Sequence, residues 1–130
     1  MFVLDTNTLI YYFKGIGNVK SHLLSTPPQD IAIPSIVLYE LEVGIAKSSS
    51  PEKRTKQLKD MCSVVNILPF REKEAQTTAQ IRAQLEIKGK PIGYYDYLIA
   101  GTALASNGVL ITNNTKEFER IDELKIGNWF

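Results

Sequence analysis

The sequence predicts an α/β fold: a short parallel sheet covered by helices on both faces. Two observations carry that reading. Brief apolar runs recur along the chain, as in Phe2-Val3-Leu4, Ile31-Ala32-Ile33 and Val109-Leu110-Ile111. They read as buried strands, and longer segments with helical spacing separate them. In such sheets ligands bind beyond the carboxyl ends of the strands, so chemistry is sought in the residues that follow each run.

The elements follow in order. Phe2 to Leu4 reads as the first strand, and Asp5-Thr6-Asn7 ends it and can cap a helix from Thr8 to Lys14, stopped by Gly15. A short helix is expected over Asn18 to Ser25, broken by Thr26-Pro27-Pro28. Ile31 to Ile33 is a strand, and Pro34-Ser35 opens a helix from Ile36 to about Lys47. Ser49 and Glu52, with Pro51 between them, read as a capping box for a polar helix to about Met61. Val64 to Leu68 is rich in β-branched residues and reads as a strand. The segment Glu72 to Lys88 predicts a long helix with Ala75, Ala79, Ile81 and Leu85 toward the core and Gly89 as its stop. After the loop Lys90 to Gly93, Tyr94 to Ser106 is a largely apolar and therefore buried helix. Val109 to Thr112 is a strand, Lys116 to Phe118 a turn of helix, and Leu124 to Ile126 a last strand.

The chain has 130 residues, 44% hydrophobic and 22% charged, which suits one globular domain over residues 1–130. A net charge of +1 argues against a general blanket of positive charge but leaves room for a local basic rim. The one cysteine, Cys62, permits no internal disulfide and fits a reducing cytoplasm. The first residues have no basic start, and Asp5 and Asn7 interrupt their apolar run, so no signal peptide or membrane span is expected.

Asp5 stands directly beyond the first strand, with Asn7 and Thr8 after it. A lone Asp there is usually only a cap. Thr112, Asn113 and Asn114 stand in the same relation to another strand, and two such ends together predict a polar crevice. Glu40 shares a helical face with Val37, Leu41 and Gly44, where an unpaired carboxylate is unfavourable. It is either half of a buried salt bridge or part of a site; Glu42, on another face, is the solvated control. Gly44 would let another element approach closely. Asp96 lies in the first turn of a buried helix, where the helix dipole favours it and the turn is expected to point into the protein's interior or a cleft rather than into bulk water.

One histidine, His22, and one cysteine make Ser-His-Asp, Cys-His and His/Cys zinc sites poor candidates. Carboxylates remain. Acids gathered in one crevice repel each other, which raises at least one pKa and makes a hard divalent cation, Mg²⁺ or Mn²⁺, their natural partner.

Four segments carry a family resemblance: FVLDTNTLIYYFKG, IPSIVLYELEVGIAKS, IRAQLEIKGKPIGYYDYLIAGTAL and VLITNNTKEFERIDELKIGNW. In this order and at nearly full length the chain resembles the PIN-domain nucleases, and specifically the toxins of VapBC type II toxin–antitoxin systems. The resemblance implies a three-layer α/β/α sandwich and metal-dependent cleavage of single-stranded RNA or RNA loops. It implies Asp5, Glu40 and Asp96 as the first, second and third acids, holding Mg²⁺, with Asn7 and Thr112 supporting them. Asn113 and Asn114 stand where many relatives have a fourth acid, so Glu117 and Glu119 are the candidates for that role. Relatives with closely similar TNNxxEFERI endings cut initiator tRNA in the anticodon loop, which makes tRNA the leading expected substrate. A cognate antitoxin and a homodimer within the toxin–antitoxin complex are implied as well. Lys14, Arg82, Lys88, Lys90, Lys116 and Arg120 flank the motif segments and are expected to contact phosphates without reading sequence.

Two other classes compete. A phosphatase with an aspartyl-phosphate intermediate also begins with a strand ending in Asp, but it needs a second Asp where this chain has Asn7. A non-catalytic RNA-binding module would use the same acids structurally.

Overall fold

The computed structural model describes residues 1–130. Five parallel strands form one sheet: β1 (Phe2–Leu4), β2 (Ile31–Pro34), β3 (Asn66–Leu68), β4 (Val109–Ile111) and β5 (Lys125–Gly127), in the order β3-β2-β1-β4-β5. Seven helices connect them: α1 (Thr6–Lys14), α2 (Val19–Leu24), α3 (Ser35–Ala46), α4 (Pro51–Cys62), α5 (Glu72–Ile87), α6 (Tyr94–Ala105) and α7 (Thr115–Phe118). A short 3₁₀ turn, Pro28–Asp30, leads into β2. The architecture is the α/β sandwich that the alternating pattern predicts.

The central strands are apolar because both their faces are covered. Val3, Leu4, Ala32, Ile33, Leu110 and Ile111 are at most 1% exposed and belong to one continuous core of 25 residues. The strand order runs outward in two directions from β1, with β2 on one side and β4 on the other. Such a reversal opens a crevice beyond the carboxyl ends of β1 and β4. Asp5 and Thr112 are the next residues after those two strands.

Helices α5 and α6 meet more closely than ordinary side chains allow. A Cβ placed on Gly101 would stand 1.7 Å from Thr78 Oγ1. Thr78 is 6% exposed and its hydroxyl is buried without a hydrogen-bond partner. This contact seats α6, and therefore Asp96, against the molecule.

Several expectations need correction. The core face of α5 runs through Thr78, Ile81 and Leu85, while Ala75 and Ala79 are exposed. Helical spacing alone places the alanines with Ile81 and Leu85, but the helix is turned so that Thr78 shares the buried face with those two. Ser49 does not cap α4; Ser50 holds the N-cap position, with no side-chain cap hydrogen bond. The reciprocal bond of a capping box appears instead at α5, where Arg71 N–H donates to Glu74 Oε1 at 2.7 Å. Val64 and Val65 belong to the turn before β3, which starts at Asn66. Gly44 is exposed and nothing approaches within 4 Å of a Cβ built on it, so it does not mark a close helix contact.

Candidate active site

Asp5 leaves the central strand in a fixed direction. Its N–H donates to Ile111 O at 3.2 Å, prolonging the β1–β4 pairing by one residue. Its Oδ1 accepts the Thr8 N–H at 2.9 Å, and Thr8 Oγ1 donates to Ile111 O at 3.0 Å. Asp5 is thus the N-cap of α1 and also a carboxylate only 6% exposed at the sheet crossover. The capping role does not exclude a site role, since it engages one oxygen and leaves Oδ2 free.

Glu40 comes from the second turn of α3. Its Oε1 accepts a 2.7 Å hydrogen bond from Thr6 Oγ1, across 34 residues of chain. None of the ion pairs includes Glu40, so the buried salt bridge that could have explained it is absent. Glu42 is exposed, as expected of the control.

Asp96 lies in the first turn of α6, half-buried, and forms no side-chain hydrogen bond or ion pair. Gly93 makes room for it: a Cβ there would stand 3.2 Å from Asp96 Oδ2. Its carboxyl is pushed up to about 6, first by burial and then by the negative charges of Glu117, Asp5 and Glu40. The helix dipole favours the anion here, yet desolvation and three neighbouring carboxylates outweigh it. Four acids from four separate segments therefore surround one crevice.

Glu117, on α7, acts on Asp96 more strongly than Asp5 or Glu40 does. Glu119 is exposed and is not among the charges acting on Asp96. Of the two candidates for a fourth acid, only Glu117 faces the cluster. Asn114 Nδ2 donates to Glu117 Oε2 at 3.0 Å, and Asn114 N–H donates to Thr112 Oγ1 at 2.9 Å. Thr112 and Asn114 thus fold the turn that presents Glu117. Asn113 is exposed and accepts from Asn128 Nδ2 at 3.1 Å, which ties it to the chain beyond β5. Asn7 is exposed and bonds none of the acids; the small polar residue that holds Glu40 is Thr6.

The basic residues differ in their freedom. Arg82 pairs with Glu86 at 3.1 Å and Lys88 with Asp122 at 3.6 Å. Arg120 donates to Pro91 O at 2.8 Å and so braces the loop before α6, where Ile92 N–H also donates to the buried Tyr97 hydroxyl at 3.1 Å. Lys14, Lys90 and Lys116 pair with no carboxylate. Lys14 lines a cavity of about 240 Å³ between α1, α3 and α4, whose wall includes Glu40.

Thr6, Gly93 and Tyr97 were not singled out in the sequence. Thr6 had a usable signal, a hydroxyl between Asp5 and Asn7 at a strand end. The roles of Gly93 and Tyr97 depend on the path of the loop before α6, which spacing alone does not reveal.

A five-stranded parallel sheet with carboxylates from separate segments near its crossover is the arrangement of a PIN-type domain. The chain belongs to the PIN-domain family, whose domain matches residues 2–124, and within it to the VapC-type proteins. It is 38% identical over 128 residues to the tRNA(fMet)-specific endonuclease VapC of Salmonella typhimurium, covering 98% of this chain and 97% of that one. It is 40% identical over 131 residues to ribonuclease VapC2 of Rickettsia felis, with 99% and 98% of the chains covered. Its fold superposes on a chain of the crystal structure of VapBC2 from Rickettsia felis bound to a promoter DNA fragment, with a TM-score of 0.91 and 39% identity over 99% and 98% of the chains.

Proposed function

We propose that the protein is a metal-dependent endoribonuclease toxin that cuts tRNA. The observation that carries this reading is Asp96 with three further acids, Glu117, Asp5 and Glu40, acting on it and no protein cation to neutralise them. It is joined by the likeness to a tRNA(fMet)-specific endonuclease along nearly the whole chain. The acids supply hard oxygen donors, which suit Mg²⁺ or Mn²⁺. They do not close into a ready-made cage of three or more ligands. Mg²⁺ keeps several waters and takes only one or two carboxylates directly, so it needs no such cage. Asp5 and Asp96 would hold the ion, with Glu40 and Glu117 reaching it through water.

When bound, the ion supplies Lewis-acid polarisation of a phosphoryl oxygen and activation of water. The chain's own residues prepare the place. Asp5 is locked by the α1 cap and the β1–β4 pairing. Thr6 fixes one oxygen of Glu40 and leaves the other without a hydrogen bond. Asp96, whose pKa is raised in the metal-free site, would give up its proton when it takes up the ion. Lys90 and Lys116 attract phosphates to the rim.

The aspartyl-phosphate reading loses ground, because Asn7 occupies the required second position and is exposed. The relatives are named as nucleases, which weighs against a purely binding module. The structural neighbour is a toxin–antitoxin complex. We take a small antitoxin as this protein's partner, with a homodimer inside that complex and the cytoplasm as its place of action. No helix is long and apolar enough to cross a membrane.

Sequencing of cellular 5′ ends after brief expression tests the reading. New ends in the anticodon loop of initiator tRNA are expected with the parent and none with Asp5→Asn. Identical end profiles for the two proteins would overturn it.

A further inference from the structure

Three tyrosines that neighbour the acids in sequence stand open to solvent. Tyr94 is 70% exposed, Tyr39 51% and Tyr95 47%. Tyr94 and Tyr95 immediately precede Asp96 on α6, and Tyr39 immediately precedes Glu40 on α3. The Tyr39 and Tyr95 rings meet edge to face with centroids 5.9 Å apart, and their hydroxyls lie 3.5 Å from each other. The Arg82 guanidinium sits 4.7 Å from the centre of the Tyr94 ring and 5.9 Å from that of the buried Tyr97. It bridges the two rings and covers one face of Tyr94.

Charge makes these rings significant. Without metal the four acids repel a polyanion, and one divalent ion would offset only part of their charge. Arg82, Lys88 and Arg120 are already engaged with Glu86, Asp122 and Pro91 O. The three lysines without an ion pair, Lys14, Lys90 and Lys116, give little grip on several phosphates. Uncharged contacts must supply part of the binding, and base–aromatic stacking is the strongest uncharged contact that single-stranded RNA can make.

We propose that Tyr94, Tyr95 and Tyr39 form a stacking platform for unpaired nucleobases flanking the scissile phosphate, with Arg82 holding the Tyr94 ring in place. This deepens the proposed ribonuclease function and rests on it. The rings are positioning residues: they seat the strand so that a phosphate falls over the acids. A duplex keeps its bases stacked on each other and cannot use them, so the platform selects loops and single strands.

The test uses the full chain and a short single-stranded oligoribonucleotide carrying one 2-aminopurine, whose fluorescence falls when it stacks. In chelator, the parent is expected to quench the probe. Tyr94→Leu and Tyr95→Leu are expected to lose the quenching and bind about tenfold more weakly, the scale of losing one base stack. Tyr94→Phe and Tyr95→Phe retain both, since stacking needs the ring and not the hydroxyl. With Mg²⁺, the Leu variants lower kcat/KM by at least that factor, because a strand no longer seated over the acids loses binding and alignment together, and the Phe variants keep it. Equal quenching and equal affinity in parent and Leu variants would overturn the platform. If the Leu variants sediment as smaller species and, compared as monomers, bind the probe as the parent monomer does, the rings serve contact with a second copy and the proposal also falls. Parent cleavage of the same RNA is scored separately. Its absence would count against the ribonuclease reading itself.

Discussion

Thr6 Oγ1 donates to Glu40 Oε1 at 2.7 Å, linking the first turn of α1 to the second turn of α3. The bond fixes an acid on one helix by a hydroxyl on another, next to the capping Asp5. Hydrogen bonds to a charged acceptor contribute roughly 1.5–3 kcal/mol. Thr6→Val is therefore expected to lower kcat by about tenfold, while Thr6→Ser stays near the parent. Steady-state cleavage assays on the three proteins check this. Equal kcat for Thr6→Val and parent would mean that Glu40 needs no such support.

Asp96 sets a pH dependence of stability. Its carboxyl titrates at about 6 in the folded protein, against 3.8 for an ordinary Asp. The folded state therefore holds this proton more tightly than the unfolded chain does. In chelator the destabilising contribution is absent below 3.8, grows as pH rises from there to about 6, and is complete at neutral pH. Asp96→Asn should be more stable than the parent at pH 7 by about 1 kcal/mol, a figure reduced for the solvent screening of a half-buried group. The difference should shrink toward pH 4. Thermal melts at both pH values decide it, and a variant that melts lower at pH 7 would contradict the crowded-acid account.

The two candidate fourth acids separate cleanly. Glu117→Gln should lower the Asp96 pKa, because Glu117 is the strongest of the three charges acting on it. Burial is the larger cause, so the value should remain above that of an ordinary Asp. Glu119→Gln should leave it unchanged. A carbon-detected carboxyl titration of the metal-free protein reads both, and equal effects of the two variants would refute the assignment.

The seat of α6 is open to direct test. Gly101→Ala places a methyl where Thr78 already stands and should destabilise the protein by roughly 1–3 kcal/mol, the usual scale of overpacking. Thr78→Val removes a buried hydroxyl that has no partner, at nearly the same shape, and should stabilise by about 1 kcal/mol. Urea unfolding measures both. A stabilising Gly101→Ala would show that the helices are less tightly apposed than described.

Much of this was legible in the chain because burial writes itself into composition. Val3-Leu4, Ala32-Ile33 and Leu110-Ile111 are buried on both faces, so unbroken apolar runs marked the strands. Asp5 and Asp96 were legible because a carboxylate at a strand end or at the start of a buried helix contrasts with its neighbours. What escaped depended on contacts far apart in sequence. Thr6 finds Glu40 only through the α1–α3 packing. Thr78, not Ala75 or Ala79, faces the core because Gly101 receives it. Glu117 could be told from Glu119 only once α7 brought Glu117, and not Glu119, close enough to act on Asp96. The polar segment from Pro51 forms its helix without the expected Ser49 cap, since Ser50 takes that place at the turn.

The central claim is that the acid crevice cuts RNA with the help of a divalent ion. Its most direct test is the cleavage rate of tRNA by the parent, Asp96→Asn and the exposed control Glu42→Gln, in excess chelator and after restoring Mg²⁺. The parent and Glu42→Gln should be silent in chelator and recover fully with Mg²⁺. Asp96→Asn should stay at least about a hundredfold below them, the scale of losing an electrostatic contact to the transition state. Undiminished cleavage in chelator, or parental activity in Asp96→Asn, would contradict the account.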